Sequence, residues 1–159
     1  MRIEILNRQK IKRINHNKIR QILERVLALI SSEIKHSLLK DRKIRPYRKT
    51  ACRAVSLSVI LCDNDFIKAL NKQFLKRNYS TDVIAFPLSD ELEPCFMGEV
   101  VVSVEKAVSQ ARVYKSSWQN ELNLYLIHGI LHLIGYRDSK KKERLAMEHR
   151  QQEILSEIL

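Results

Sequence analysis

The sequence predicts an α+β fold, in which a mixed sheet of about four strands packs with about five helices in one domain over residues 1–159. The length is that of a single domain, and 45% of the residues are apolar, which is enough to fill one core. Segments that alternate polar and apolar residues are interleaved with segments of helical periodicity. With only 3 Gly and 3 Pro, the composition excludes collagen-like and disordered chains.

The first third of the chain predicts a strand, a helix and a loop. Residues 2–6 alternate in the manner of a strand. Asn17 is a possible N-cap for an amphipathic helix. The apolar positions of this helix recur at helical spacing and are Ile19, Ile22, Leu23, Val26, Leu29, Ile30 and Ile34. The basic segment 40–49 contains Pro46 and has no period, so it predicts a loop.

The middle of the chain predicts three strands, over residues 54–62, 81–87 and 98–103. The second of them ends in proline, which cannot donate a hydrogen bond to a sheet. Asp63 is expected to cap a helix between the first two strands. The apolar positions of that helix are Phe66, Ile67, Leu70 and Phe74. Residues 88–97 predict a connecting loop.

The last third predicts three helices, over residues 104–113, over about 120–134, and from Ser139, as N-cap, to the end of the chain. Gly135 is expected to end the second helix, because glycine adopts the left-handed conformation most easily. Trp118 is expected to anchor the start of that helix. The expected inner contacts of the final helix are Leu145, Ile154, Leu155 and Ile158.

The excess positive charge lies in the first third of the chain. The formal net charge is +11; residues 1–50 contain 15 Lys and Arg against 4 Asp and Glu, whereas residues 51–159 contain 14 of each. Such a region suits a polyanionic partner, so residues 1–50 are predicted to face RNA and residues 51–159 to carry the chemistry. A solvated basic face is the alternative.

The cysteines and the hydropathy favour a cytoplasmic protein. Cys52, Cys62 and Cys95 are odd in number and contain no C-x-x-C pair, so they indicate neither a disulfide framework nor a thiolate zinc site. The N-terminus lacks the apolar region of a signal peptide, and no apolar stretch approaches the ~18 residues that cross a bilayer. We therefore expect no membrane association.

The residues with the clearest chemistry lie between positions 128 and 138. His128 and His132, four residues apart, lie on one face of a helix, so both imidazoles can bind one ion. Gly135 allows a sharp turn that returns Asp138 to the same face. The spacing is that of zincin-type sites, with aspartate as third ligand. We therefore predict one Zn²⁺ ion held by His128, His132 and Asp138 on a zincin-like helix near the C-terminus, with a coordination position left for water.

Gly129 occupies the position that holds glutamate in H-E-x-x-H peptidases. Without that general base, the usual activation of water for peptide cleavage is missing. Another metal-assisted hydrolysis is therefore favoured over peptide cleavage.

The segment HGILHLIGYRD, residues 128–138, resembles the signature of the YbeY family of bacterial endoribonucleases. Residues 70–87, 97–101 and 147–155 resemble further segments of that family in the same order, so the resemblance covers roughly residues 50–159. It implies a zinc site at the three residues above and a basic channel that admits single-stranded RNA. It also implies hydrolysis of RNA phosphodiesters in 16S ribosomal RNA 3′-end maturation and ribosome quality control, with ribosomal RNA and the ribosome or its small-subunit proteins as partners.

The chain departs from the family pattern at two functional positions. The third histidine of the family is Asp138 here, preceded by Arg137, and the functional arginine after L-N-x-x-Y falls on Leu75. A carboxylate ligand is expected to raise the pKa of the bound water and to weaken the ion as a Lewis acid. Lys76, Arg77 and Arg137 are the candidate substitutes for the missing arginine, and we predict catalytic roles for Arg77, Arg137 and His128.

Four further residues have more ordinary interpretations. Thr81 and Asp82 are expected to fix a strand edge, and Tyr136 to pack and not to stack a base. His149 is expected on the surface, and is the reserve ligand if Asp138 does not bind metal.

Other functions fit the same residues. The chain could be a catalytically weak or inactive ribosome-assembly factor, a metal-dependent hydrolase of another substrate, or a protein with a structural metal. Oligomeric state does not follow from the sequence.

Overall fold

The structure is a computed structural model that describes residues 1–40, 55–87 and 95–159. These residues form a four-stranded sheet and six helices, which confirms the α+β prediction with one helix more than expected. The elements, in chain order, are β1 (Arg2–Asn7), α1 (His16–Leu29), α2 (Ser31–Lys40), β2 (Ser56–Cys62), α3 (Asn64–Leu75), β3 (Val83–Phe86), β4 (Phe96–Ser103), α4 (Val104–Tyr114), α5 (Trp118–Leu133) and α6 (Lys141–Ile158). The loop predicted over residues 40–49, apart from residue 40, lies outside the described residues, as does most of the loop predicted over 88–97.

The sheet is mixed and has the order β1-β2-β4-β3. Strands β1, β2 and β4 are parallel, and β3 runs antiparallel to β4, with Val83 opposite Val102 and Phe86 opposite Glu99. Strand β3 is therefore an edge strand, and the candidate site lies beside it.

Alternation along the strands divides the core between the two faces of the sheet. The larger cluster lies on the face covered by α1, α5 and α6, and from the strands it includes Ile3, Leu57, Val59, Leu61, Val100 and Val102. The smaller cluster lies on the face covered by α3 and comprises Cys62, Ile67, Ile84 and Val101. A helix packed over β3 and β4 can thus bring its side chains to the edge of the sheet.

The first helical segment differs from the prediction at both ends. Asn15, not Asn17, is the N-cap of α1, and its side chain accepts a hydrogen bond from the backbone N–H of Lys18 at 3.1 Å. The helix ends at Leu29, and a new helix begins at Ser31. The apolar periodicity continues across the break because Ile30 and Ile34 are both buried, so periodicity alone could not reveal two helices.

The N-cap prediction is confirmed for α3 and wrong for α6. Asp63 accepts a hydrogen bond from the backbone N–H of Phe66 at 2.9 Å. Helix α6 begins at Lys141 after Lys140, which makes no capping hydrogen bond. The Ser139 hydroxyl instead donates to a Glu143 carboxylate oxygen at 3.2 Å.

The inner face of α6 also differs in part. Leu145 is exposed, so its predicted core role is wrong, whereas Ile154 and Ile158 are buried and Leu155 packs against the larger cluster as expected. Met147 and Gln151 complete the buried face.

Two further expectations concern the cysteines and the membrane. Cys95 is disulfide-bonded, although the number and spacing of the cysteines indicated no disulfide framework. An odd count leaves room for one pair, and sequence spacing does not reveal connectivity. Cys62 is a free, buried thiol. In the described residues, no helix combines the length and the apolar character needed to span a membrane.

Candidate metal centre

The candidate site is built on α5, a helix with buried residues on most of its sides. The Ser117 hydroxyl caps its start by accepting from the backbone N–H of Asn120 at 3.1 Å. The helix packs against α4, α6, β3 and β4, so it is central to the domain. Trp118, at its first position, packs against the larger core cluster, as expected of an anchor.

Gly129 lets this helix approach the sheet closely. A Cβ atom at this position would lie 2.5 Å from Cγ1 of Val100 and 3.0 Å from Cγ2 of Val83. Position 129 therefore faces the sheet, where a glutamate side chain has no room. The missing peptidase base thus has a packing reason as well as a chemical consequence.

The side chains of His128 and His132 meet on one face of α5. Their Nε2 atoms lie 3.0 Å apart, and their rings are inclined at 80°. Asp138 adds a carboxylate whose Oδ2 is 3.7 Å from Nε2 of His132. One ligand atom from each of His128, His132 and Asp138 lies within 4.8 Å of the others. The group is therefore compact enough to hold a metal ion.

The turn after α5 positions both His132 and Asp138. Gly135 has a φ of 101°, and its N–H donates to the His132 carbonyl at 3.0 Å. The N–H of Tyr136 donates to the Leu131 carbonyl at 3.0 Å, which completes a Schellman motif. The Tyr136 carbonyl lies 3.1 Å from Nδ1 of His132. The same turn therefore orients one imidazole and returns the chain to Asp138.

Gln151, on α6, orients the other imidazole. Its Oε1 lies 3.0 Å from Nδ1 of His128, and its Nε2 donates to the Leu124 carbonyl at 3.5 Å, which fixes the orientation of the amide. Because Gln151 and Tyr136 each offer only an acceptor oxygen, both Nδ1 atoms carry the proton. The Nε2 lone pairs of the two rings then face each other. This arrangement is repulsive unless a proton or a cation lies between them, so it is suited to a pair of metal ligands.

Electrostatics keep the second histidine ready to bind a cation. Burial, and then the neighbouring His128, lower the pKa of His132 below its usual value, so the imidazole is neutral at neutral pH. Neutral imidazole is the form that binds metal.

A cleft of about 440 Å³ opens at this group. It runs along β3 and the preceding turn, and its lining includes Leu75, Arg77, Tyr79, Thr81, Asp82, His128, His132 and Asp138. Asn71 is buried and donates from Nδ2 to the Tyr79 carbonyl at 2.8 Å, which fixes the turn that carries Arg77.

The three candidate substitutes for the family arginine are placed differently. Arg77 lines the cleft, and no described residue forms an ion pair or a side-chain hydrogen bond with its guanidinium. Lys76 donates from Nζ to the Gln73 carbonyl at 3.0 Å, on its own helix. Arg137 is exposed and does not line the cleft. Arg77 is therefore the basic side chain that the structure brings to the metal group.

The remaining candidates have structural surroundings. The Asp82 carboxylate accepts from the Thr81 hydroxyl and from the backbone N–H of Val83, both at 2.9 Å, and so caps the start of β3. Tyr136 packs against the larger core cluster. His149 is exposed, and its Nδ1 lies 3.3 Å from a Glu153 carboxylate oxygen.

Sequence reasoning assigned no role to Gln151, Asn71 or Tyr79, although all three lie in segments that resemble the family. For Gln151, one signal in the sequence was its spacing: a polar residue four positions after Met147, on the same buried face of the last helix. The partners of Gln151 and Asn71 depend on tertiary contacts and on turn geometry, which the sequence pattern does not supply.

Comparison with known proteins gives one family. The family model described as Endoribonuclease YbeY matches residues 4–159. A protein named Endoribonuclease YbeY from Carboxydothermus hydrogenoformans is 37% identical over 67% of this chain and 74% of its own length. Another of that name from Thermodesulfovibrio yellowstonii is 29% identical over 98% of this chain and 96% of its own length. A solution structure of a Thermotoga maritima protein matches with a TM-score of 0.61 at 28% identity, covering 98% of this chain and 88% of that chain. The chain therefore belongs to the YbeY family of endoribonucleases.

Proposed function

We propose that this chain is a zinc-dependent endoribonuclease that hydrolyses single-stranded RNA in the cytoplasm, during maturation of ribosomal RNA. The observation that carries the proposal is the compact group of His128, His132 and Asp138, which shares its cleft with Arg77, a side chain that pairs with no described residue. Family membership supports RNA as the substrate class. Binding to the ribosome or its small-subunit proteins belongs to the same proposal.

The three side chains form a donor set that suits zinc. Two neutral imidazoles and one carboxylate are a common set in catalytic zinc sites, and they leave a position open for water. Bound zinc supplies Lewis acidity and lowers the pKa of a coordinated water to about 7. His128 and His132 would bind through Nε2, since each Nδ1 is already engaged.

The cleft residues account for the choice of substrate. Arg77 binds a phosphate oxygen of the strand and offsets the negative charge that builds up at phosphorus during hydrolysis. Tyr79 and Leu75, both exposed at the cleft, offer apolar surface to unstacked bases. A duplex keeps its bases stacked inside, so this surface favours single strands.

The direct test compares one RNA sequence as a single strand and as a duplex, with the purified chain after chelation and after zinc is added back. We expect zinc to restore cleavage of the single strand. The His128→Ala variant should not be restored, whereas His149→Ala, at an exposed histidine, should behave as the wild type. Chelator-resistant cleavage that survives in His128→Ala would contradict the proposal.

A further inference from the structure

A second cavity, of about 800 Å³, lies between α1, the start of α5 and the end of α6. No described residue lines both this cavity and the cleft that opens at His128, His132 and Asp138. Its floor is apolar and includes Ile19, Ile22, Leu122 and Ile158. Its volume falls within the range of small-molecule sites, which are mostly apolar with a few placed polar groups.

One polar side chain that lines this cavity is unpaired among the described residues. Asn123 is 5% exposed and lines the cavity, yet its side chain makes no hydrogen bond within the described part of the chain. Neither polar atom of this side chain is among the inaccessible atoms that lack a partner, so the amide is open to the cavity. The amide therefore offers a donor and an acceptor to a ligand.

The rim of the cavity is cationic. Arg13 and Lys18 line it, and their side chains pair with none of the residues in 1–40, 55–87 and 95–159. Both residues flank the start of α1, the positive end of a helix dipole, and the first turn of this helix contains no acidic residue to offset that charge. Among the described lining residues, Glu24 is the acidic side chain. This rim favours an anionic group.

Trp118 provides an aromatic ring in the same cavity. An indole ring can contact either another flat ring or a cation. The cationic rim repels a cationic ligand, so a flat ring is the favoured contact. An acyl chain would fit the floor but would leave the Asn123 amide unpaired. A nucleobase would satisfy both the ring and the amide.

We propose that this cavity binds a nucleotide, with the base at Trp118 and Asn123 and the phosphate at Arg13 and Lys18. The nucleotide is either free or part of an RNA strand, since both present the same chemistry. The inference does not rest on the proposed nuclease activity, because no residue in the described part of the chain lines both sites.

The chain carries its own reporter for the test, because Trp118 is its single tryptophan. Tryptophan emission of the full, zinc-free chain is followed during titration with adenosine monophosphate, oligoadenylate, adenosine and inorganic phosphate. We expect a saturable change with the monophosphate, the oligonucleotide or both, and at least about tenfold weaker binding of adenosine and phosphate. The tighter of the first two identifies the source of the nucleotide.

Two variants locate the binding. Asn123→Leu removes the amide, and Lys18→Glu reverses a rim charge; each should weaken binding by at least about tenfold. The matched control for charge is Lys142→Glu, near the opposite end of α6 from Ile158, and His128→Ala should retain binding. Thermal unfolding verifies that Asn123→Leu folds. If that variant does not fold, the loss of nucleotide binding in Lys18→Glu alone tests the inference.

Three results would overturn the inference. These are no saturable change with either nucleotide, phosphate binding as tightly as the nucleotides, or affinities that Asn123→Leu and Lys18→Glu leave unchanged. Loss of RNA cleavage in the proposed nuclease has no bearing on any of them, because the emission assay requires no turnover.

Discussion

The amide oxygen of Gln151 lies 3.0 Å from Nδ1 of His128, and the contact joins α6 to the helix that carries the candidate metal ligands. Gln151 is buried and also donates to the Leu124 carbonyl, so the amide has one available orientation. It selects the tautomer of His128 that leaves Nε2 free for metal. Partners of this kind hold metal-binding imidazoles in position, and their loss typically lowers metal affinity by about 10–100-fold.

We expect Gln151→Leu to reduce zinc affinity by about 10–100-fold, because leucine keeps most of the volume but cannot accept the Nδ1–H hydrogen bond. Competition with a chromogenic chelator measures the affinity directly. The neighbouring Gln152 is exposed, so Gln152→Leu is the matched control and should leave affinity unchanged. Equal affinities for the two variants would show that Gln151 has no positioning role.

Gly129→Ala should destabilise the domain, although alanine ordinarily stabilises a helix interior by about 1 kcal/mol relative to glycine. The added methyl would lie 2.5 Å from Cγ1 of Val100, and overpacking of this kind costs about 1–3 kcal/mol. Urea unfolding measures the change in the free energy of unfolding.

The control for this prediction uses the other glycine of the motif. Gly135→Ala strains a backbone at φ 101° without any steric contact, at about 1–2 kcal/mol. Combining each change with Val100→Ala separates the mechanisms, because only the effect of Gly129→Ala should shrink in the double variant. Additive effects for Gly129→Ala with Val100→Ala would refute the close approach.

The two glycines also illustrate what the sequence could predict. The paired histidines and the turn at Gly135 follow from local helical spacing, so residue pattern was sufficient to place them. The contact between Gln151 and His128 joins residues of two different helices, and the break between α1 and α2 falls within one continuous apolar periodicity. Both depend on how elements pack, which no local pattern contains.

Arg77→Ala should reduce cleavage of single-stranded RNA by about 10²-fold in kcat/KM, because it removes the cleft cation that stabilises charge at phosphorus. Arg137→Ala removes the same charge from a residue outside the cleft, and a much smaller effect is expected. Steady-state cleavage of one labelled oligonucleotide compares them. If Arg137→Ala is the more damaging change, the strand follows a different path from the one proposed.

Stability of the metal-free chain should fall as the solution becomes acidic. Burial, then the charge of His128, lower the pKa of His132 below its usual value of 6.5. In the unfolded chain His132 keeps its usual pKa, so below about pH 6.5 the unfolded state binds more protons than the folded state, and acid favours unfolding. The contribution of neutral His132 to the free energy of unfolding is therefore complete above about pH 6.5 and is lost as the pH falls towards the lower pKa of the folded state. Urea unfolding from about pH 8 to about pH 5 should show a flatter profile for His132→Asn than for wild type. An unchanged profile would contradict this, and His149→Asn, at an exposed histidine, is the control.

Asp138→His tests the most unusual feature of the site. In the proposed zinc site, a carboxylate would add negative charge to the donor set, which would weaken the ion as a Lewis acid and raise the pKa of a coordinated water. Replacement by imidazole should therefore move the acidic limb of the pH–activity profile to lower pH and raise cleavage at neutral pH. Asp138→Asn, which removes the charge without adding an imidazole, separates the two effects; it should shift the limb in the same direction but bind zinc more weakly. The contrary outcome is that both variants bind zinc and that the acidic limb of the pH–activity profile stays at the same pH in both. Asp138 would then not be a ligand, and another group would be the third ligand.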